Sequence, residues 1–583
     1  IVFIVIGAIV LLIVGALIFI RQDAGNVADK ILRDQFANSD LSRAYRLDFK
    51  DVEVKPFSGN LIIKELSLVP DSGIYGAHDS ILFQFPMLYR VKVPKIVVKG
   101  FNPETGFDLD EISFESVSIQ KPEVRLIDYL TKEKKQALRR EYAEKQEQDT
   151  SQKQPTPRLV EIDAFDLCDG KFEFYDHSRQ KIIFYSETIR VNVDSLNLKP
   201  AHLMASLLKK KFSKAVVALG GLHYKLENGF YHMQLGEFSW SLHDNLITLN
   251  HFEMIPQYDT TEFGKQFGRQ TDRMDLQVKE LQIHQLNIER LAENGGIETP
   301  LIRIIEPDLW IYRDKNVPLD RSRYPKLPHQ AIGAAAQYIK IDKIELQNGH
   351  VKYEELATDA QKAGTVPIEN LYASIYQVTN DMESIRKSGP MKWDVQGVFF
   401  NEGSLKVEVS FPADLQQESF TFSGNIGEMN MPEFNSITVT NEHIRIEEGQ
   451  INRLEFDADA GPEYATGTML FNYDNLKLSI LKNEAKAGNE ELGLLSSLAN
   501  VVIRSFNPGK KSNKSADPAE IFFERDKNKS IFNYLAKTLI SGIKATIIPG
   551  FSLTKDKYDR QQKRQEKKDA RQEKREERKN RKP

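Results

Sequence analysis

Apolar and polar residues alternate along most of the chain. Between Tyr45 and Asp457, segments such as "SETIRVNVDSLNL" and "LKVEVSFPADL" place an apolar residue at every second position, and Gly, Pro, Asn or Asp separate the segments. Side chains of a strand point alternately to its two faces, so this period predicts half-buried antiparallel strands. We therefore expect a mainly β protein.

One stretch of sequence occurs twice. "VEIDAFDLCDGKFEFYD" (Val160–Asp176) and "IKIDKIELQNGHVKYEE" (Ile339–Glu355) both break their alternation after Ile-Asp and then carry a Gly. Such a break turns the buried face over unless a bulge or corner absorbs one residue. Glycine also permits a tight turn. We predict a duplicated, bulged hairpin that turns at Gly170 and at Gly349.

The repeat extends upstream of this stretch. "IQKPEVRLID" matches "IIEPDLWIYR", so each copy has a strand, a Lys-Pro or Glu-Pro kink and a second strand. Repeated units that bury a face only against their neighbours build elongated structures. The pattern predicts a first β region at 21–127, one repeat at 159–300 and a second at 301–480.

The first 20 residues, "IVFIVIGAIVLLIVGALIFI", carry no charge. As a helix they would be about 30 Å long, which matches the hydrocarbon core of a bilayer. The alternative is a cleaved signal peptide, whose apolar region is normally about 7–15 residues long. Because this run is longer, we predict that residues 1–20 form an uncleaved transmembrane anchor.

Two further segments lack the alternation. Residues 128–158 are charged on nearly every side and predict a solvated helical insertion followed by a linker. Residues 481–554 show helical spacing and predict C-terminal amphipathic helices, which either pack on the end of the sheet or lie in a membrane interface. The candidates for membrane-interface contact are Phe532, Leu535, Leu539, Ile540 and Ile543.

The tail at 555–583 holds 14 Lys or Arg and 7 Asp or Glu, although the whole chain carries a formal net charge of -4. Its charge fits contact with anionic lipid, and a solvated tail without a partner fits equally well. Nucleic-acid binding is compatible with the charge, but we do not expect it.

Residues for catalysis or metal binding form no known pattern. The chain has one cysteine, Cys168, which excludes an intramolecular disulfide and a Cys-rich zinc site. The sequence has no Walker A, GxGxxG, GxSxG or HExxH motif. The strand-rich window that holds His223, His232, His243 and His251 shows no ligand spacing, so we expect surface or sheet-edge histidines. "DADAG" from Asp457 has a faint likeness to a calcium loop but lacks the later Glu. We predict no catalytic, cofactor or metal site, and no enzyme.

Several motifs, in their order along the chain, resemble the AsmA-like family. They are the apolar N-terminal run, "LSRAYRLDFKDVEVKPFSGNLIIKELSLV", the paired "IDxφxLxxGxφxφ" stretches (φ is apolar), "GTMLFNYDNLKLSIL" and "ERDKNKSIFNYLAKTLISGIKATI". The likeness extends from residue 1 to about residue 550. The basic tail is not part of the family pattern.

The resemblance implies a fold and a role. The fold would be an elongated, curved antiparallel sheet, an open gutter or partial barrel, with one N-terminal transmembrane helix. The protein would be single-pass in the inner membrane of a Gram-negative bacterium, with its body in the periplasm. It would carry phospholipid toward the outer membrane along an apolar groove, or support outer-membrane assembly together with other envelope proteins as a structural factor without conducting lipid. The groove candidates are Ile162, Phe172, Phe174, Ile341, Val351 and Tyr353.

Overall fold

The structure is a computed structural model of the chain. It describes residues 33–34, 36–37, 40–55, 59–71, 73, 87–100, 111–129, 159–198, 214–226, 228–358, 360–481, 503–509, 516–550, 555–560 and 563. The predicted anchor at 1–20 lies outside the described residues. So do most of the predicted insertion at 128–158, the segment 482–502 and the tail beyond residue 563.

The described chain is mainly β, as its alternation predicts. The strands are β1 Tyr45–Asp48, β2 Asp51–Lys55, β3 Asn60–Pro70, β4 Leu88–Lys99, β5 Glu111–Gln120, β6 Glu123–Asp128, β7 Leu159–Asp176, β8 Lys181–Leu198, β9 Lys214–Lys225, β10 Tyr231–Ser241, β11 Leu246–Pro256, β12 Asp272–His284, β13 Ile297–Asp314, β14 Ile339–Leu356, β15 Gly364–Thr379, β16 Lys392–Phe399, β17 Gly403–Ser410, β18 Phe420–Ile426, β19 Met429–Asn430, β20 Ile444–Ala460, β21 Tyr464–Ile480 and β22 Pro518–Glu524. The helices are α1 Phe263–Phe267, α2 Ile288–Asn294, α3 Pro328–Gly333, α4 Met382–Ser388, α5 Asn435–Glu442 and α6 Ile531–Ile547.

The chain forms two compact units. Unit 1 comprises Ile1–Ile255 with Glu280–Glu289, and unit 2 comprises Pro256–Lys279 with Arg290–Pro583. In unit 1, β3 pairs with β1, β2 and β4, and β7, β8, β9 and β10 pair in chain order, all antiparallel. In unit 2, β14 to β18 pair in order and β18 continues through β20 and β21 to β22, also antiparallel.

The expectation of a purely antiparallel sheet is wrong at two places. In unit 1, β5 and β6 pair with β7 in parallel, and in unit 2 β13 pairs with β14 in parallel. A parallel neighbour requires a crossover of about a dozen residues or more, because the chain must return to the end where it started. The sequence supplies that length between Asp128 and Leu159, and between Asp314 and Ile339.

The predicted hairpins are also wrong, because each is one continuous strand. β7 and β14 run straight through Gly170 and Gly349, with an irregular register at each glycine instead of a turn. The preceding residues, Asp169 and Asn348, adopt φ of 52° and 53°. A left-handed residue inside a strand bends it without reversing it.

Each glycine lies close to a proline of its parallel neighbour. A Cβ on Gly170 would lie 2.9 Å from Cγ of Pro122, and a Cβ on Gly349 would lie 3.1 Å from Cγ of Pro307. These prolines follow Lys121 and Glu306, both with φ of 49°. The predicted Pro kink and the Gly therefore lie side by side, in the same way in both copies.

Gly349→Ala should lower the free energy of unfolding of unit 2 by about 2 kcal/mol, because a Cβ there would lie 2.8 Å from Cδ2 of Leu346 and 3.1 Å from Cγ of the rigid Pro307 ring. Denaturant unfolding measures the loss. Gly509→Ala is the matched control, since a Cβ there meets no atom within 4 Å. Equal stability of the two variants would refute the close-packing explanation.

The break in alternation after Ile-Asp does not turn the buried face over. Val160, Ile162, Phe165 and Leu167 all belong to the core of unit 1. Ser195 of the neighbouring strand has a φ of 60° and lies between the residues that pair with Ile162 and Ala164. A bend shared by adjacent strands thus absorbs one residue, as the alternation requires.

Helix α6 covers part of the sheet in unit 2, which confirms one of the predicted C-terminal amphipathic helices. It buries Tyr534, Thr538, Gly542 and Thr546, which are spaced by four residues and so lie on one side of the helix. A Cβ on Gly542 would lie 2.9 Å from side-chain atoms of Ile521 and Met469, so the helix lies directly on β21 and β22. The residues of α6 that face the sheet thus belong to the core of unit 2.

Candidate functional site

Unit 2 presents an apolar face that crosses the paired strands β13, β14, β15 and β16. Register places apolar residues opposite one another in rows across these strands. The first row is Ile302, Ile344, Ile375 and Trp393; the second is Ile304, Leu346, Ala373 and Val395; the third is Leu309, Val351, Ile368 and Phe399; the fourth is Ile311, Tyr353 and Val366. We call these fifteen residues the apolar face.

All residues of the apolar face are half-buried, and six of them also pack against the core of unit 2: Ile302, Ile344, Val366, Ile375, Trp393 and Phe399. Under α6, by contrast, inward residues of the same unit such as Phe422, Phe456 and Ile521 are at most 4% exposed. The apolar face is therefore less covered than the core beside it. Each CH₂ group of a ligand that covered it would gain about 0.8 kcal/mol.

The opposite face of these strands is polar. Arg303 and Lys343 both bind Glu345, with N···O distances of 3.1 Å and 2.6 Å. On β16, Lys392 lies 3.4 Å from Asp394. One side of the sheet thus suits water and the other suits hydrocarbon, which is the arrangement that alternation produces.

A charged cluster closes one end of the apolar face. Arg313 donates two hydrogen bonds to Asp272, of 2.8 Å and 2.7 Å, and Lys315 lies 2.7 Å from Glu355. The Tyr353 hydroxyl donates to the same Glu355 carboxylate at 2.8 Å. We call these five residues the end network.

Burial and charge act in opposite directions on the end network. Burial raises the pKa of Tyr353, and the Glu355 carboxylate beside it raises it further. Burial alone would also raise the pKa of Glu355, but the Lys315 ammonium and the hydrogen bonds from Lys315 and Tyr353 hold it below its ordinary value. Glu355 therefore stays ionised, and Tyr353 stays a hydrogen-bond donor.

The predicted groove residues of unit 1 do not lie on an open face. Ile162 is 1% exposed and Phe172 is 6% exposed, both inside the core of unit 1. Phe174 is half-buried and packs against that core, and the rings of Phe172 and Phe184 lie 5.9 Å apart. Neighbouring side chains cover Ile162 and Phe172, so these two residues present little surface to a ligand.

The predicted groove residues of unit 2 have separate environments. Ile341 is 7% exposed and belongs to the core of unit 2. Val351 lies in the middle of the apolar face. The ring of Tyr353 lies in the last row, but its hydroxyl belongs to the end network. Val351 is thus the predicted residue that best probes this face.

The predicted membrane-interface residues of α6 also differ among themselves. Leu535, Leu539 and Ile543 pack against the core of unit 2, so they are sheet contacts. Ile540 is half-buried, whereas Phe532 is 68% exposed. The Phe532 ring stacks 6.5 Å from that of Trp393, at the border of the apolar face. Most of α6 therefore packs on the sheet, which is the alternative to lying in a membrane interface.

The four histidines of the strand-rich window converge only in part. The rings of His223 and His232 lie 5.6 Å apart, and Tyr185 stacks on His223 at 4.5 Å. Burial lowers the pKa of His232, and the nearby His223 and Lys225 lower it further. Across the described ranges, no group of three or more His, Cys, Asp or Glu residues is placed to hold a metal ion. The Asp457 motif lies in strand β20, not in a calcium loop.

Most of the apolar face carries no local sequence signal. The sequence patterns do not single out Ile375, Trp393 or Phe399, although "IIEPDLWIYR" belongs to the repeat. The signal that would have identified them lies in the pairing of strands. Apolar residues of β14 lie opposite apolar residues of β13 in parallel register and opposite apolar residues of β15 in antiparallel register. Aligning the strands in those registers would have identified the rows.

Comparison with models of protein families gives no match, and comparison with curated proteins gives none either. Among the residues that the structure describes, no helix is both long enough and apolar enough to cross a membrane.

Proposed function

We propose that this protein binds phospholipid acyl chains on the apolar face of unit 2 and conducts lipid along it. The proposal rests on the partial exposure of that face. Its fifteen apolar residues lie in register across four strands, and all of them are half-buried, whereas the core beside them is covered. The absence of a recognisable catalytic motif fits this role, since lipid binding needs surface and not chemistry.

The wider setting is part of the same proposal. The anchor at 1–20 would hold the protein in the inner membrane of a Gram-negative bacterium, and the body would form an elongated, curved gutter in the periplasm. The support is the uncharged run of 20 residues and the resemblance to the AsmA-like family. Phospholipid would move toward the outer membrane, where other envelope proteins would be the partners.

A second candidate function is an anchored assembly factor that conducts no lipid. It is favoured by unit 1, whose predicted groove residues Ile162 and Phe172 form a packed core. If the apolar face of unit 2 is covered in the same way in the assembled protein, it serves stability alone.

Val351→Asp separates the two candidates. On an open face the carboxylate reaches water when no lipid is bound, so the melting temperature should change little. Bound acyl chains would have to cover the charge, which weakens lipid binding by about 2 kcal/mol, or roughly 30-fold. Native mass spectrometry of the detergent-purified protein measures the retained lipid, and differential scanning calorimetry measures the melting temperature.

Gln396→Asp is the matched control. It adds the same charge at an exposed position of β16, opposite Lys406 on the polar side of the sheet. We expect the control to retain lipid and the Val351 variant to lose it, both at normal melting temperature. Retained lipid in the Val351 variant, or a collapse of its melting temperature, would favour the assembly factor.

A further inference from the structure

The outer, polar side of unit 2 holds an acidic concavity, away from the apolar face. Strands β17, β18, β20 and β21 and the start of β22 line a cavity of about 480 Å³. Glu408, Glu455 and Asp457 line this cavity. Asp459 and Glu520 lie beside it, on the same side of the paired strands. We call these five acidic residues the acidic trough.

The negative charge of the trough is only partly compensated. Lys392 binds Glu408 at 3.0 Å, and Arg453 binds Glu455. Asp457, Asp459 and Glu520 are exposed, and within the described ranges they form no ion pair. Lys406 is the basic residue that lines the cavity. The surface therefore favours a cationic occupant.

The start of the basic tail is already seated beside the trough. The ring of Tyr558 lies 5.6 Å from that of Tyr464 and 5.4 Å from that of Phe522. Lys555 places its Nζ 5.8 Å from the centre of the Tyr464 ring. Phe522 is 4% exposed and lies opposite Thr466, which in turn lies opposite Asp459 on the next strand. Tyr558 thus packs on the polar side of the sheet, next to the acidic residues.

We propose that residues 564–583 bind back into the acidic trough of the same chain. This segment carries ten Lys or Arg and five Asp or Glu, and no acid follows Glu577. Crossing from β22 to β17 takes four strand spacings, about 19 Å in all. Twenty residues reach about 30 Å as a helix and further when extended. The segment is long enough, and its charge is complementary.

The attachment at Tyr558 makes this contact intramolecular. A tethered segment meets its site at a high effective concentration, so individually weak ion pairs suffice to hold it. Exposed ion pairs are screened by salt within about 8 Å at physiological ionic strength, so the contact should weaken as salt is added. While the tail occupies the trough, its Lys and Arg residues are not free to bind an anionic membrane.

Tryptic cleavage of the tail in the full chain tests the proposal. Asp457→Asn, Asp459→Asn and Glu520→Gln, combined in one trough variant, should speed cleavage after Arg578 and Lys579 at least fivefold at 50 mM salt. At 500 mM salt, trypsin should cleave the parent as fast as it cleaves the variant. The matched control combines Asp308→Asn, Asp342→Asn and Glu428→Gln, three exposed acids of unit 2 outside the trough, and should be cleaved at the parent rate.

Equal cleavage of parent and trough variant at low salt would overturn the proposal. So would equal acceleration of the trough variant and the control, because the effect would then follow net charge and not position. A second measurement uses vesicles of phosphatidylglycerol and phosphatidylethanolamine. The trough variant should bind them more tightly than the control does, since its tail is released. Equal binding of the two variants would show that the trough does not hold the tail.

Discussion

Phe165→Asp should lower the free energy of unfolding of unit 1 by about 4 kcal/mol. Phe165 is 1% exposed and lies between Val117 and Val193 in register, both in the same core. The packed side chains leave no water to solvate a carboxylate, so its burial is costly. Denaturant unfolding followed by fluorescence, with limited proteolysis of unit 1, measures the loss.

Gln120→Asp is the control for this substitution. Gln120 is exposed on β5 and lies opposite Lys95, so the same added charge stays in water beside a cation. We expect a change of about 0.5 kcal/mol or less. If Phe165→Asp were tolerated as well as Gln120→Asp, the description of unit 1 as a closed core would be wrong.

Glu355→Gln should lower the free energy of unfolding of unit 2 by about 3 kcal/mol. The side chains of Lys315 and Glu355 are 29% and 14% exposed, so the substitution leaves a largely buried ammonium without its counter-charge. The Tyr353 hydroxyl loses its charged acceptor too. Glu448→Gln is the control, because Glu448 and its partner Lys477 are 54% and 62% exposed and such pairs contribute about 0–1 kcal/mol.

The loss caused by Glu355→Gln should depend on pH. The folded protein holds the pKa of Glu355 below its ordinary value, so the folded state favours the ionised carboxylate. The stabilisation is complete above the unfolded pKa of about 4.3 and disappears as pH falls through the lower folded pKa. The stability difference between parent and variant should therefore be constant near pH 7 and shrink below about pH 4. A difference that stays constant on acidification would contradict this.

Local patterns predicted the strands because they depend only on adjacent residues. In "ATGTMLFNYDNLKLSIL" alternation marks β21, and Met469, Phe471 and Tyr473 are buried while their neighbours are not. The four-residue spacing of Tyr534, Thr538, Gly542 and Thr546 likewise places them on one side of a helix. Such periodicities follow from the geometry of a single element, so the sequence alone reveals them.

The turns could not be predicted in the same way. Asp169-Gly170 and Asn348-Gly349 carry the residues typical of a tight turn. Their true role depends on Pro122 and Pro307, which lie beside them in a parallel strand. No local rule brings those residues together, because the long crossover that makes the strands parallel lies between them.

Coverage of an apolar face is also a non-local property. Ile162 and Ile341 occupy the same position in the two copies and both are buried, whereas Phe172 is 6% exposed and its counterpart Val351 is half-buried. The sequence pattern is the same in both copies. What differs is which side chains pack over the strand, and the strand does not encode that. The less covered face of unit 2 is therefore visible only in the structure.

Trp393 reports directly on whether acyl chains lie on the apolar face of unit 2. Trp393 is half-buried in the first row of that face. In a Trp240→Phe, Trp310→Phe background it is the sole tryptophan, since the chain has three. Fluorescence should be recorded after loading the protein with phosphatidylglycerol brominated in its acyl chains. Bromine quenches only at close contact, so we expect strong quenching of Trp393 by the brominated lipid and none by unbrominated lipid. Stoichiometric lipid binding with unchanged Trp393 fluorescence, or no binding at all, would contradict it.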